Sequence, residues 1–225
     1  MKGFSSRLAS FLDDNSAFGR MTGNLWLIIV TNVLFILCSL PVITAGPAYA
    51  AMYHVILKSM RNPQEDISPV REFWKGLKGN FVQALIVWIL FLVFAAITVL
   101  DIDIIRSMQG GLAFMRWPVY LTAGIVLLVY CFVFPVLAAF ESSTLQLLKN
   151  AFYFTARNPL RAVVCAAVNT LPMVITYLDL QRLPLYAFLW STCGFSVTAV
   201  VISRMLIKDF NRFLPDTDDF QEPEE

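Results

Sequence analysis

Apolar residues run along this chain in long blocks separated by short polar stretches, and the first block sets the pattern for the rest. Residues 22–47 read TGNLWLIIVTNVLFILCSLPVITAGP, with no charged side chain between 25 and 40. As a helix, those sixteen residues would span about 24 Å, close to the thickness of a bilayer's hydrocarbon core. Pro41 should end or kink that helix. Pro47 suits the first turn of a new one, where its missing N–H is not needed, and Gly46 offers backbone freedom to the turn between them. The stretch therefore predicts a membrane segment followed by a built-in reversal.

The same pattern predicts the remaining elements. Residues 1–20 place Phe4, Leu8, Phe11 and Leu12 at helical spacing beside Lys2 and Arg7, as in a helix lying in the membrane interface. After Pro47 comes an apolar stretch that reaches only to Lys58, short for a full crossing. Residues 61–80 form a polar loop whose second half, 71–78, has the pattern of an amphipathic surface helix. Residues 81–100 form a clear span. A loop begins at Asp101 and runs to about Pro118. The next span, 119–140, is broken by Pro135 and continued by an amphipathic helix over 141–156. Spans over 160–177 and 185–206, joined by a turn at 179–184, complete the set. Residues 215–225 are acidic and read as a disordered tail, leaving 1–214 as a single membrane domain.

Two further patterns bear on the span count. Pro47-Ala-Tyr-Ala-Ala-Met52 resembles Pro135-Val-Leu-Ala-Ala-Phe140, and each is followed by a basic amphipathic stretch and a strong span. A repeat of this kind would bring the segment after Pro47 into the membrane. With six segments, 14 of the 17 Lys and Arg residues share a side with the N-terminus and only Arg106, Arg116 and Arg182 lie opposite. With five spans the division is 11 to 6. The asymmetry of positive charge favours six segments with both termini cytoplasmic. A cleaved leader is a weaker reading of the first block, because Asp13 and Asp14 precede it and several spans follow.

Composition agrees. The 225 residues are 58% hydrophobic and 15% charged, with a mean hydropathy of +0.67. A soluble domain carries roughly 25% charged residues. The fold class is all-α, a polytopic helical membrane bundle, with the lipid bilayer as its first partner. A net charge of +1 with no basic block gives no sign of nucleic-acid binding. Cys38, Cys131, Cys165 and Cys193 all fall within apolar runs and read as packing residues.

Few side chains could carry chemistry. His54 is the only histidine and sits on a segment that enters the membrane. It is a candidate titrating group, or simply a satisfied neutral imidazole. Glu141 is a candidate relay carboxylate, or the point where a helix leaves lipid. Asn32 and Asn169 are candidate ligands, although asparagine within a span more often bonds a neighbouring helix. Asp101 and Asp103 have a metal-like spacing but offer too few ligands. The chain carries no phosphate-binding loop, zinc-binding His pair or nucleophile elbow. It therefore reads as a non-enzyme that needs no metal and no cofactor.

The string Ser39-Leu-Pro-Val-Ile-Thr-Ala-Gly-Pro47, with Asn24-Leu-Trp26, Ala51-Met-Tyr53 and Phe73-Trp-Lys-Gly-Leu-Lys-Gly-Asn-Phe81, resembles the YesL family. Its members are integral membrane proteins, mainly of Gram-positive bacteria, that carry domain of unknown function 624. The resemblance is strongest over residues 20–90. Genes of that family often neighbour those of carbohydrate ABC importers, which implies an accessory docked on transporter membrane subunits. Phe73, Trp74, Leu77 and Lys78, aromatic anchors beside basic charge, are the expected partner contact. The alternative is a stand-alone small-solute transporter whose helices are broken at Pro41–Pro47 and at Pro135.

Overall fold

The computed structural model describes residues 17–63, 67–107, 116–140 and 143–211, together with Glu65 and Phe114. Every regular element among them is helical. The first helix, α1 (Ala17–Ser39), stops two residues before Pro41. A single 3-10 turn, Val42–Thr44, then reverses the chain into α2 (Ala45–Arg61). The Thr44 hydroxyl closes this corner by donating to the carbonyl of Cys38 (2.6 Å), which the end of α1 leaves without a helical partner, and to that of Pro41 (2.8 Å), which also accepts the Thr44 N–H. Pro47 occupies the first turn of α2, as its chemistry predicts.

Gly46 has a different role from the one expected. It lies inside α2 with no unusual backbone angle, and a Cβ there would come within 2.4 Å of Trp88 Cβ. What Gly46 supplies is room. It lets α2 approach α4 (Phe81–Ser107) closely, while Trp88 Nε1 reaches across to donate to the Val42 carbonyl at 2.8 Å.

Helix α2 is the centre of the molecule. Ten of its seventeen residues are buried, and it packs against α1, α4, the amphipathic helix α3 (Pro69–Gly79), α5 (Arg116–Ala139) and the last helix, α9 (Phe195–Asn211). Ala48, Ala50 and Ala51 are the physical reason, since small side chains let neighbouring backbones come close in lipid. Around it run α5, then α6 (Thr144–Arg157) and α7 (Pro159–Leu178). The short α8 (Leu183–Leu189) passes through a π-helical turn, Trp190–Gly194, into α9.

Among the described residues, four helical stretches are long and apolar enough to cross a membrane: Phe81–Ile104, Trp117–Ala139, Pro159–Leu178 and Leu180–Phe210. Helix α1 adds a shorter apolar run, Leu25–Ser39. The described residues thus form an all-helical structure with four candidate spans by length and composition, and α2 is enclosed by protein.

Two expectations change. Pro135 does not break its span, because α5 continues through it to Ala139. Residues 131–137 are all buried, so packing on every side holds the helix despite one missing hydrogen bond. The amphipathic stretch expected to continue that span is instead the separate helix α6. The two related segments do lead into similar arrangements: α2–α3–α4 and α5–α6–α7 each turn at an asparagine, Asn80 or Asn158. Of the expected interfacial helix at 1–20, residues 17–20 belong to α1 and residues 1–16 lie outside the described residues, as does the acidic segment 215–225.

Candidate functional site

Three groups of polar side chains link helices in the interior. The first joins α2 to α3. His54 and Lys58, one helical turn apart on α2, both face Glu72 of α3. Lys58 Nζ lies 3.0 Å from Glu72 Oε1, and His54 Nε2 lies 3.3 Å from Oε2. Lys58 also approaches Glu65 at 3.7 Å. Glu72 is buried, on the same face of α3 as Phe73, Gly76 and Leu77. Gly76 makes this approach possible, because a Cβ there would meet His54 Cβ at 2.8 Å. Burial alone would raise the Glu72 pKa, but the hydrogen bonds and positive charge of Lys58, with His54 beside it, leave it below its ordinary value.

A pH dependence follows. A carboxyl with a depressed folded-state pKa adds stability at pH values above its unfolded pKa and loses it as pH falls through the folded one. The contribution of Glu72 should be complete above its ordinary value of 4.5 and fade below that. Thermal unfolding in detergent across acid pH should show this loss in the wild type. Glu72→Gln should be less stable at neutral pH and show a flatter acid limb; a limb of unchanged slope would contradict the assignment.

The second group is Asn32, fully buried on α1. Its amide Nδ2 donates to the carbonyls of Trp190 (2.9 Å) and Ser191 (3.0 Å), while Oδ1 accepts from the Ser196 N–H at 3.0 Å. These three groups belong to the π-helical turn and the start of α9, where the widened turn disturbs normal backbone pairing. Trp190 Nε1 in turn donates to Thr176 Oγ1 of α7 at 3.0 Å. Asn32 therefore ties α1 to the last span, with both amide hydrogens and one lone pair of Oδ1 committed to that link. Asn32→Leu should remove all three bonds and strand backbone groups in an apolar setting. The expected loss is about 1–3 kcal/mol, read as a lower melting temperature in detergent. An unchanged melting temperature would show that the π turn does not depend on Asn32.

The third group is weaker. The Tyr49 hydroxyl donates to Asn169 Oδ1 at 3.4 Å and lies 3.4 Å from the Tyr53 hydroxyl, and Asn169 Nδ2 points at Cys131 Sγ, 4.0 Å away. Asn169 thus links α7 to α2 and α5. The Tyr49 ring also packs edge-on against Phe134, and Phe134 against Tyr130, with centroids 5.3 and 5.4 Å apart.

The sequence-derived candidates do not converge. His54, Asn32 and Asn169 occupy the three separate groups, and Glu141 lies outside the described residues. The proposed partner contact is corrected in part. Phe73 is fully buried and Leu77 nearly so, both inside the chain's own core, whereas Trp74 and Lys78 are exposed. The buried acid Glu72 was missed. Its signal was its spacing, since it falls three residues after Pro69 and four before Gly76 on the buried side of α3. Among the described residues no cluster of three or more His, Cys, Asp or Glu could hold a metal.

All three groups draw on the segment running from α1 to α4. Residues 28–102 match a family model described as protein of unknown function, DUF624. The match begins within α1, passes through α2 and α3 and ends near the end of α4, so it contains Asn32, His54, Lys58 and Glu72. No curated protein and no solved structure matches the chain.

Proposed function

We propose that the chain is a YesL-like multi-pass protein of the bacterial plasma membrane. It crosses six times with both termini cytoplasmic and serves, without catalysis, as an accessory of a carbohydrate ABC uptake system. The charge asymmetry supports the topology, and so does the path of the chain. After the reversal at Pro41–Thr44, α2 runs back beside α1 and delivers Lys58 and Arg61 to the end where α3 lies. The link to carbohydrate uptake comes from the family resemblance.

One observation carries the accessory role: α2 fills the middle of the bundle. Met52, Tyr53 and Ile56 are essentially inaccessible where a solute path would run. The broken segment at Pro41–Thr44, which a stand-alone transporter would use to bind its solute, spends its carbonyls on Thr44 and Trp88. With Phe73 and Leu77 inside the fold, the lateral docking surface is assigned to α4, the least enclosed span, with 6% of its membrane window buried.

A photo-crosslinker at Leu90 on α4 should capture ABC transporter membrane subunits in cells, and one at Trp74 should not. The purified protein in liposomes should move no sugar by itself. Solute uptake by the protein alone, with no subunit captured from α4, would reject the accessory role in favour of a stand-alone transporter.

A further inference from the structure

The outer faces of α3 and α6 share a pattern that neither the core nor a protein partner explains. Each helix has three sectors. One faces the core: Phe73 and Leu77 on α3, Leu147 and Ala151 on α6. A second is apolar yet uncovered: Val70 and Trp74 are each 45% exposed, Leu145 65% and Phe152 58%. The third is basic: Arg71, Lys75 and Lys78 on α3, and Lys149 on α6, all exposed. No carboxylate among the described residues pairs with any of these four cations.

A helix lying in the plane of a membrane surface needs all three sectors. Its exposed apolar edge dips toward acyl chains, and its basic edge meets headgroup phosphates. The two helices also border one cleft. Lys78, Val82 and Ile86 on one side and Ser143 and Thr144 on the other line a cleft of ≈ 410 Å³. Val82 and Ile86 run down α4 from Lys78, with Gln83 beside them, so the cleft has an apolar strip along the span and a cation at its rim. A strip of apolar wall below a cationic rim suits the headgroup and the first part of the acyl chains of a phospholipid.

We propose that α3 and α6 lie in the headgroup layer of one leaflet and hold anionic phospholipid there through Arg71, Lys75, Lys78 and Lys149, with one lipid seated in the cleft beside Lys78. Charge complementarity selects the anionic lipid, and the uncovered apolar edges select a bilayer over a soluble acidic protein. The inference rests on membrane residence, which sedimentation of the protein with membranes tests separately.

The test is to reconstitute the full chain in bilayers of phosphatidylcholine and phosphatidylglycerol, extract it gently, and weigh the retained lipids by mass spectrometry. The wild type should keep phosphatidylglycerol in clear excess over the bulk ratio. Each cation near an anionic surface contributes about fivefold, so Lys75→Gln/Lys78→Gln should cut that preference at least tenfold. The charge-matched control Arg204→Gln/Lys208→Gln, on α9, should leave it unchanged. Equal loss in both variants, or no preference in the wild type, would overturn the proposal. So would a severalfold gain in retained phosphatidylglycerol on deleting residues 215–225, since the chain's own acidic segment would then occupy this face.

Discussion

Gly46→Leu should keep α2 from seating against α4 and lower the melting temperature in detergent by roughly 6–12 °C. The first added carbon would already stand 2.4 Å from Trp88 Cβ and 3.1 Å from the Ala84 carbonyl oxygen. Trp88 cannot simply swing aside. Its indole N–H is bonded to Val42, and its ring lies against Phe91 and Tyr130, with centroids 5.9 and 6.2 Å away. Relief has to come from moving helices, which takes α2 out of the centre of the bundle. Gly46→Ala should show part of the loss. In a double-mutant cycle, Trp88→Gly should couple strongly to Gly46→Leu, because it removes the Cβ and Cγ that the new side chain would meet. Independent, additive losses would mean that the close approach at Gly46 is not what the residue supplies.

Phe73→Ala and Trp74→Ala, adjacent substitutions on α3, should have opposite weights. Phe73 is fully buried under α3, and removing its ring leaves a cavity worth about 3–5 kcal/mol. Trp74 is 45% exposed on the other face, so its truncation should stay within about 0.5 kcal/mol in detergent. A partner-binding assay alone would mislead here, because Phe73→Ala weakens any interaction simply by unfolding the protein. Melting curves of the two single variants separate the cases. Equal, small losses would return Phe73 to the surface.

The contrast shows what was legible in the sequence. Pro41 and Pro47 marked the reversal correctly because proline acts locally: it forbids one helix from continuing and suits the start of the next. The amphipathic period over 71–78 located α3 for the same kind of reason. It did not say which face was buried, and the aromatic Phe73 was read as a docking anchor when it is core. Pro135 was misread because packing around residues 131–137 overrides a local penalty. Helix α2 looked like half a span by hydropathy, while its alanines, which let five helices close around it, signalled the centre.

At the candidate site, non-local contacts decided what was missed. Asn32 was rightly suspected of bonding a neighbouring helix, but its partners lie 158–164 residues away in a π turn that no local pattern announced. Glu72 reads as one more charge on a surface helix until Lys58 and His54 arrive from α2 to face it. Periodicity reports which residues share a face. It does not report what the opposite helix brings to that face.

The central claim is that α2 crosses the bilayer as the core of a six-segment bundle, placing α3 and α6 at the cytoplasmic face. Cysteine accessibility tests this most directly. On a background lacking the four native cysteines, Ser68→Cys, Ser143→Cys and Gln181→Cys are each treated in intact cells with a membrane-impermeant maleimide. Ser68 precedes α3, Ser143 precedes α6, and Gln181 lies in the turn between α7 and α8; all three are exposed. The account predicts labelling at position 181 from outside, and at 68 and 143 only after permeabilisation. Labelling at 68 in intact cells, or at 68 and 143 on opposite sides, would contradict it.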